Sequence, residues 1–482
     1  MASTTFFEEQ ARYRRATWRW TLLAALATVV MGLPLSLVLT PVVYVVALLS
    51  LHLANGLLPI APIVWTTVDT MAALIPTALA AYEAGPEHLL RVALPLALAL
   101  VVPGAIAVVI VWLGVRRLLE RVGLEATLQA LAARAPQASV LEEHQFQNIV
   151  EEMAIAAGIA APGVQITEHL SANMALVGTD PAHAAVLVSR RLLNTCDRDE
   201  TQALVAHLIA SLANGDLTIA LRIESVHLTG AALNALMNAP FGPHGRQVIA
   251  ALALALVRRA SAQDASRALA TLLREWSEPS NDLTRFLERD STRPPSVWRH
   301  VMHLLLLPIY LLNMAVLVTA GLVEAGLVAP LLAAVCRSRR YLADASAVAL
   351  ARNPTQLARA LRNIAGSLGD PHWAPARLLT VVASDVTDPW RSPGGLTNAH
   401  PPAEKRIKRL AAQGAILSWE AHTSAPRGAR RVLEYLGALV FVPIVAMLAY
   451  LSAVIVALVT VLAMGAMAVA LAAIHGAFQL LQ

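Results

Sequence analysis

Residues 197–216, DRDETQALVAHLIASLANGD, decide how the chain is read. Asp197 and Glu200 stand at capping-box spacing, with Asp197 as N-cap and Glu200 at the third helical position. The helix that follows carries Leu204, Val205, His207, Leu208 and Leu212, and we expect it to reach at least Asp216. His207 and Ser211 are four residues apart and share one face of it.

The surroundings read as a mixed α/β unit over residues 137–235. Leu141 to Ala157 places Phe146, Ile149, Val150 and Met153 near helical spacing. Short β-like runs follow at Val164–Thr167, Ala172–Val177 and Ala184–Ser189. Residues 258–296, with Pro279, Pro294 and Pro295, suggest an exposed helix and a linker. Residues 339–365 form a further helical run, broken at Asn353–Pro354. No internal repeat is visible.

The rest of the chain is too apolar for a cytosolic globule. Of 482 residues, 57% are hydrophobic and 14% charged, with a mean hydropathy of +0.59. An ordinary soluble domain carries about 25% charged residues, and a disordered chain carries far less apolar material than this one. Two cysteines, Cys196 and Cys336, make neither a disulfide framework nor a four-cysteine zinc site. The net charge is +5, but apart from Lys405 and Lys408 every basic residue is arginine, and no basic run interleaves with aromatics. We expect no nucleic-acid surface.

Four apolar blocks exceed the roughly 18 residues of a spanning helix: Thr21 to about Ala54 with a weaker continuation to Tyr82, Val92–Val115, Val301–Cys336, and Leu436 almost to the C-terminus. The first is too long for a signal-peptide core and reads as an anchor, not a cleaved signal. Arginines flank the blocks: Arg12, Arg14, Arg15 and Arg19; Arg116, Arg117 and Arg121; Arg293 and Arg299; Arg337, Arg339 and Arg340; Arg427, Arg430 and Arg431. The positive-inside rule places all the polar segments in the cytoplasm. The expected division is a cytoplasmic N-terminus (1–20), a transmembrane block of two or more spans (21–115), a first cytoplasmic part (116–300), a membrane hairpin (301–336), a second cytoplasmic part (337–435) and a C-terminal transmembrane block (436–482). A shallow re-entrant pair, an in-plane helix and a single tilted span are the competing readings for 301–336, and the tilted span would separate the two polar parts.

Five separated stretches, in order, resemble the membrane zinc metallopeptidases of the HtpX heat-shock type, relatives of the CAAX prenyl endopeptidases. They are Phe6-Phe7-Glu8-x-Gln10, Asn173-x-Ala175-x-x-Gly178, residues 197–216, Arg337-Ser338-Arg339-Arg340-Tyr341-Leu342-Ala343-Asp344 with Arg352-Asn353-Pro354, and His400-Pro401-Pro402 running on to Arg406-Ile407. The likeness extends to about residue 412, and the C-terminal block lies outside it. It implies an α-helical polytopic membrane protein with a cytoplasmic α+β metallopeptidase-like domain of the gluzincin kind. It also implies that the strand of Asn173, Ala175 and Gly178 receives substrate.

Such a family binds zinc through two histidines one helical turn apart and a distant glutamate, with a glutamate between the histidines as general base. Here the first ligand position is His207, but the base position is Leu208, the second ligand position Ser211 and the third Arg340. Loss of a general base alone lowers rates by roughly 10²–10⁴. The resemblance gives Asp344 the task of orienting His207 and places His400 near the cleft, although two prolines beside His400 also allow a simple turn. Arg340 and Asp344 are four apart and can pair. We expect Arg340 to replace the cation electrostatically; the competing reading lets it snorkel to the membrane surface beside Arg337 and Arg339. His169, His183, His227 and Glu224 lack ligand spacing and read as ordinary residues. Glu324 marks either a hairpin tip or a functional intramembrane charge. Ser211 has no base beside it for a nucleophilic role, and Cys336 reads as a small apolar residue.

Three functional classes follow. The first is an inactive homologue that binds peptide or membrane-protein segments, or regulates a membrane-protein or protease partner, in a bacterial-type inner membrane. The second is an active zinc endopeptidase of membrane-protein quality control with unusual ligands. The third is a structural or transport protein with a relic domain. No cofactor is expected under the first reading, and zinc only under the second. The lipid bilayer is a partner in all three.

Overall fold

In the computed structural model, residues 6–55, 85–239, 243–257, 261–277, 328–365, 379–381 and 398–416 are described, with single positions at 77, 80, 83 and 326. The hairpin expected at 301–336 lies, up to residue 325, outside the described residues, as do Glu324 and the block at 436–482.

The sheet forms where apolar runs are bounded by turn residues. Strands β1 (Gly163–Thr167), β2 (Met174–Gly178) and β3 (Ala184–Ser189) have the order β1-β3-β2, β1 parallel and β2 antiparallel to β3. Strand β2 begins two residues later than the apolar run suggests. The Asn173 side chain accepts a hydrogen bond from the Met174 amide at 3.0 Å, and the Ser189 hydroxyl accepts one from the Asn173 amide. Gly178 closes the strand at φ +141°, where an added Cβ would lie 2.2 Å from the His183 carbonyl. Only glycine fits that turn.

Both faces of the sheet are covered, which is why its strands are continuously apolar instead of alternating. One face carries Ile166, Met174, Leu176, Val186 and Val188 against helix α3 (Leu141–Ala157) and helix α5 (Arg198–Ala213). The other carries Ala175, Val177, Ala185 and Leu187 against Leu131, just past the end of helix α2 (Pro86–Ala130). A short helix, α4 (Arg190–Thr195), links β3 to α5, with the Ser189 hydroxyl capping it.

Helix α5 has the anticipated capping box: the Asp197 side chain accepts from the Glu200 amide, and the Glu200 side chain from the Asp197 amide. It ends at Ala213, short of Asp216, because Gly215 adopts a left-handed conformation at φ +78°. Helix α6 (Asp216–Asn238) then leaves at 70° to it. Helices α7 (Pro243–Leu256) and α8 (Ala262–Ser277) complete a helical cluster around α2. Helix α8, anticipated as an exposed helix, has one buried face, with Ala265, Ala268 and Leu272 in that cluster.

The long helix α1 (Phe6–Asn55) packs along α2. Gly104 of α2 comes so close that an added Cβ would overlap the Ser36 carbonyl of α1. Within α2, Ala97–Glu125 is long and apolar enough to cross a membrane. Helix α9 (Ala329–Ala351) runs unbroken past residue 336, where the apolar block ends. Its first half packs Leu332 and Val335 with Ala24, Ala27 and Leu35 of α1, while its second half enters the core beside α5. Helix α10 (Pro354–Ala365) follows the break at Asn353, and helix α11 (Ala403–Ala412) follows the His400 motif.

Candidate functional site

The site lies where α5, α9 and α11 meet under the sheet. Helix α5 is so enclosed that His207 has no exposed surface. Its Nδ1 lies 2.9 Å from Asp344 Oδ1 on α9. Arg406 on α11 grips the same carboxylate twice, Nη2 donating to Oδ1 at 2.7 Å and Nε to Oδ2 at 2.9 Å, and its Nη1 donates to the Val381 carbonyl at 2.6 Å. The counter-charge of Asp344 is therefore Arg406, where i, i+4 spacing had suggested Arg340. The signal was present in the His400 motif, which includes Arg406, but nothing in the sequence tied that arginine to Asp344.

Burial fixes the protonation states. It lowers the His207 pKa to about 4, with Asp344 acting in the opposite direction. His207 is thus a neutral imidazole at pH 7 that donates from Nδ1 to Asp344, leaving a buried Nε2 with no hydrogen-bond partner among the described residues. Burial pushes the Asp344 carboxyl upward, but Arg406 and His207 outweigh it and hold the group below the usual carboxylate range. A histidine with a depressed folded pKa destabilises the fold as pH falls from its unfolded value, 6.5, towards 4, because the unfolded chain takes up the proton first. At about 1.4 kcal/mol per pH unit the loss approaches ~3 kcal/mol. Thermal melts from pH 7 to 4.5 should show this slope, and His207→Gln should flatten it; an identical slope in the variant would locate the effect elsewhere.

One turn beyond His207, the Ser211 hydroxyl donates to Asp216, which also receives Arg339 Nε. Leu208 is 1% exposed and belongs to the main core. Arg340 is 5% exposed, so it does not snorkel to a membrane surface. Its Nη2 donates to His400 Nε2 at 2.9 Å. Burial, then the neighbouring Arg406, lowers its pKa to about 10, so it remains charged at neutral pH. His400 thus stands behind Arg340, a cleft residue, as well as shaping a turn: the Thr380 hydroxyl is 3.1 Å from its Nε2, and its own amide donates to the Asn398 side chain. Ser211, Asp216, Arg340, Cys336 and Leu379 line a narrow cleft of about 20 Å³, room for about one water molecule. Cys336, expected only to pack, thus borders the site.

Asn173 lies just before β2, Ala175 within it and Gly178 at its end. The other histidines do not gather at the site: His183 pairs with Asp180 at the β2–β3 turn, and His227 with Glu224 belongs to α6. Among the described residues no three His, Cys, Asp or Glu side chains are grouped to hold a metal. Zinc needs at least three donors. Here one imidazole, a hydroxyl committed to Asp216 and a cationic guanidinium stand at the positions the resemblance names. This donor set does not fit a zinc ion.

The fold thus sets a three-stranded mixed sheet beside a buried histidine helix, with an aspartate on a second helix orienting the imidazole. The sequence pattern of peptidase family M48 matches residues 140–413, more than half of the chain, and the chain belongs to that family as an HtpX-type member. A protease HtpX homolog of Thermoanaerobacter pseudethanolicus is 29% identical over 276 residues, covering 56% of this chain and 72% of that protein. One from Listeria monocytogenes is 27% identical over 263 residues (55% and 71%), and one from Streptococcus equi 29% over 279 (58% and 76%). No solved structure shows a significant match.

Proposed function

We propose that this protein is a catalytically inactive M48 homologue, a membrane-bound pseudopeptidase that binds extended peptide or membrane-protein segments without cleaving them, or regulates a partner in doing so. The carrying observation is the buried guanidinium of Arg340, bonded to His400 and bordering the cleft with Ser211. Leu208 in the apolar core supports the same reading, since a general base has to reach the reacting water. The protein purified in detergent should contain well under one zinc per chain and leave unfolded casein intact. Stoichiometric zinc with chelator-sensitive proteolysis would overturn the proposal. The reading of an active endopeptidase rests on the retained His207–Asp344 pair, whose tautomer leaves the lone pair of the buried Nε2 unengaged among the described residues.

The same proposal puts the polar segments in the cytoplasm of a multi-pass inner-membrane protein. Leu22, Leu26 and Val29 of α1 and Leu94, Leu98 and Ile106 of α2 are exposed, an apolar outer surface suited to lipid. Reporter fusions at Ala138, Ser280 and Gly366 should all report cytoplasm. A periplasmic signal at Gly366 alone would mean that 301–336 crosses once.

A further inference from the structure

We infer that residues 379–381 are a built-in strap occupying the peptide edge of the sheet, so that an extended peptide enters the cleft only by displacing the chain's own segment. The inference rests on the peptide-binding reading above and adds how that site is controlled.

Strand β2 is the outer strand of the sheet, and an outer strand offers a row of amides and carbonyls to any extended segment that aligns with it. Here that row is taken. The Leu176 amide donates to the Leu379 carbonyl at 3.2 Å, the Val381 amide donates to the Met174 carbonyl at 2.9 Å, and Ala175 faces Thr380 in antiparallel register. This is the pairing a bound peptide strand would make.

The same three residues also touch the site at three points. Leu379 borders the cleft beside Ser211 and Arg340. The Thr380 hydroxyl and carbonyl approach His400 Nε2, the atom that also accepts from Arg340. The Val381 carbonyl accepts from Arg406 Nη1, part of the guanidinium that clamps Asp344. Thr380 and Val381 have no exposed surface. Backbone pairing to the edge strand, together with contacts to His400 and Arg406, puts the segment where a ligand would lie. A peptide competing with it binds with an apparent affinity reduced by the fraction of molecules in which the strap is open.

The test uses the full chain in detergent and a fluorescent peptide copying residues 376–384 (ARLLTVVAS). In a Cys196→Ala, Cys336→Ala background, Ala175→Cys with Thr380→Cys locks the strap on oxidation and frees it on reduction. Leu379→Gly loosens it without a cross-link. The reduced pair and the Leu379→Gly variant should bind the peptide at least tenfold more tightly than the oxidised pair. Equal binding by oxidised and reduced forms would overturn the strap while leaving peptide binding intact. Binding by no form, with the cross-link formed, would overturn the peptide-binding reading and the strap with it. Amide exchange gives a readout that needs no peptide. Leu176 and Val381 should exchange faster in Leu379→Gly than the core of β3, and exchange as slow as that core would make the segment a fixed fourth strand.

Discussion

Arg406→Ala is expected to lower stability by about 3–5 kcal/mol, because it leaves a buried carboxylate without its cation. Asp344 is 4% exposed and Arg406 2%, and the pair is bidentate, the geometry in which arginine cannot be exchanged for a point charge. The deletion also removes the donor to the Val381 carbonyl and uncovers the Asp344 that orients His207. A fall in melting temperature on the order of 10 °C should follow. Arg406→Lys should recover only part of it. Arg340→Ala gives the comparison: it takes a donor from His400 but leaves Asp344 paired, and should cost about 1–2 kcal/mol. The Asp344→Asn, Arg406→Gln double variant should be less damaged than the sum of its single changes, since neither charge is left alone. If Arg406→Ala melts with the parent protein, Arg406 is not the group that makes Asp344 tolerable in the core.

What was legible in the sequence is what short-range rules control. The start of α5 follows from the Asp197–Glu200 box, and α3 from the spacing of Phe146, Ile149, Val150 and Met153. All three strands follow from apolar runs closed by turn residues. The break after Ala213 was missed because Asn214–Gly215 was read together with the helix-like pattern around it, although Gly215 is what allows the left-handed turn. Arg406 was missed for a different reason. It lies 62 residues from Asp344 and 199 from His207, and no local pattern assigns a cation to a carboxylate over such distances. Leu379–Val381 is too short for a periodicity reading, and its partner strand lies about 200 residues earlier. Hydropathy drew a boundary at residue 336 that α9 ignores, since the backbone hydrogen-bond ladder continues wherever the residues allow helix, in lipid or in water.

The triple change Leu208→Glu, Ser211→His, Arg340→Glu should raise zinc affinity at least a thousandfold over the parent protein. It would surround His207 with a second imidazole one turn along α5, a carboxylate from α9 and a base position beside the first ligand. His207 is already prepared: its Nδ1 is engaged by Asp344, so the Nε2 lone pair is the one available, and an outer-shell carboxylate of this kind strengthens an imidazole ligand. A thousandfold gain corresponds to about 4 kcal/mol, modest for a change from one donor to three. Ser211→His removes a donor from Asp216, which keeps Arg339, and Arg340→Glu withdraws a buried cation next to Arg406, so the substitutions partly relieve the charge they disturb. Competition against a chelating dye gives the affinity, and adding His207→Ala should abolish the gain. Peptidase activity should return incompletely at most, because Leu379 and Thr380 still lie across the cleft. A triple variant that folds and binds zinc no better than the parent would mean that positions 207, 211 and 340 do not converge. The assignment of Ser211 and Arg340 as former ligand positions would then fall, and with it the main ground for inactivity.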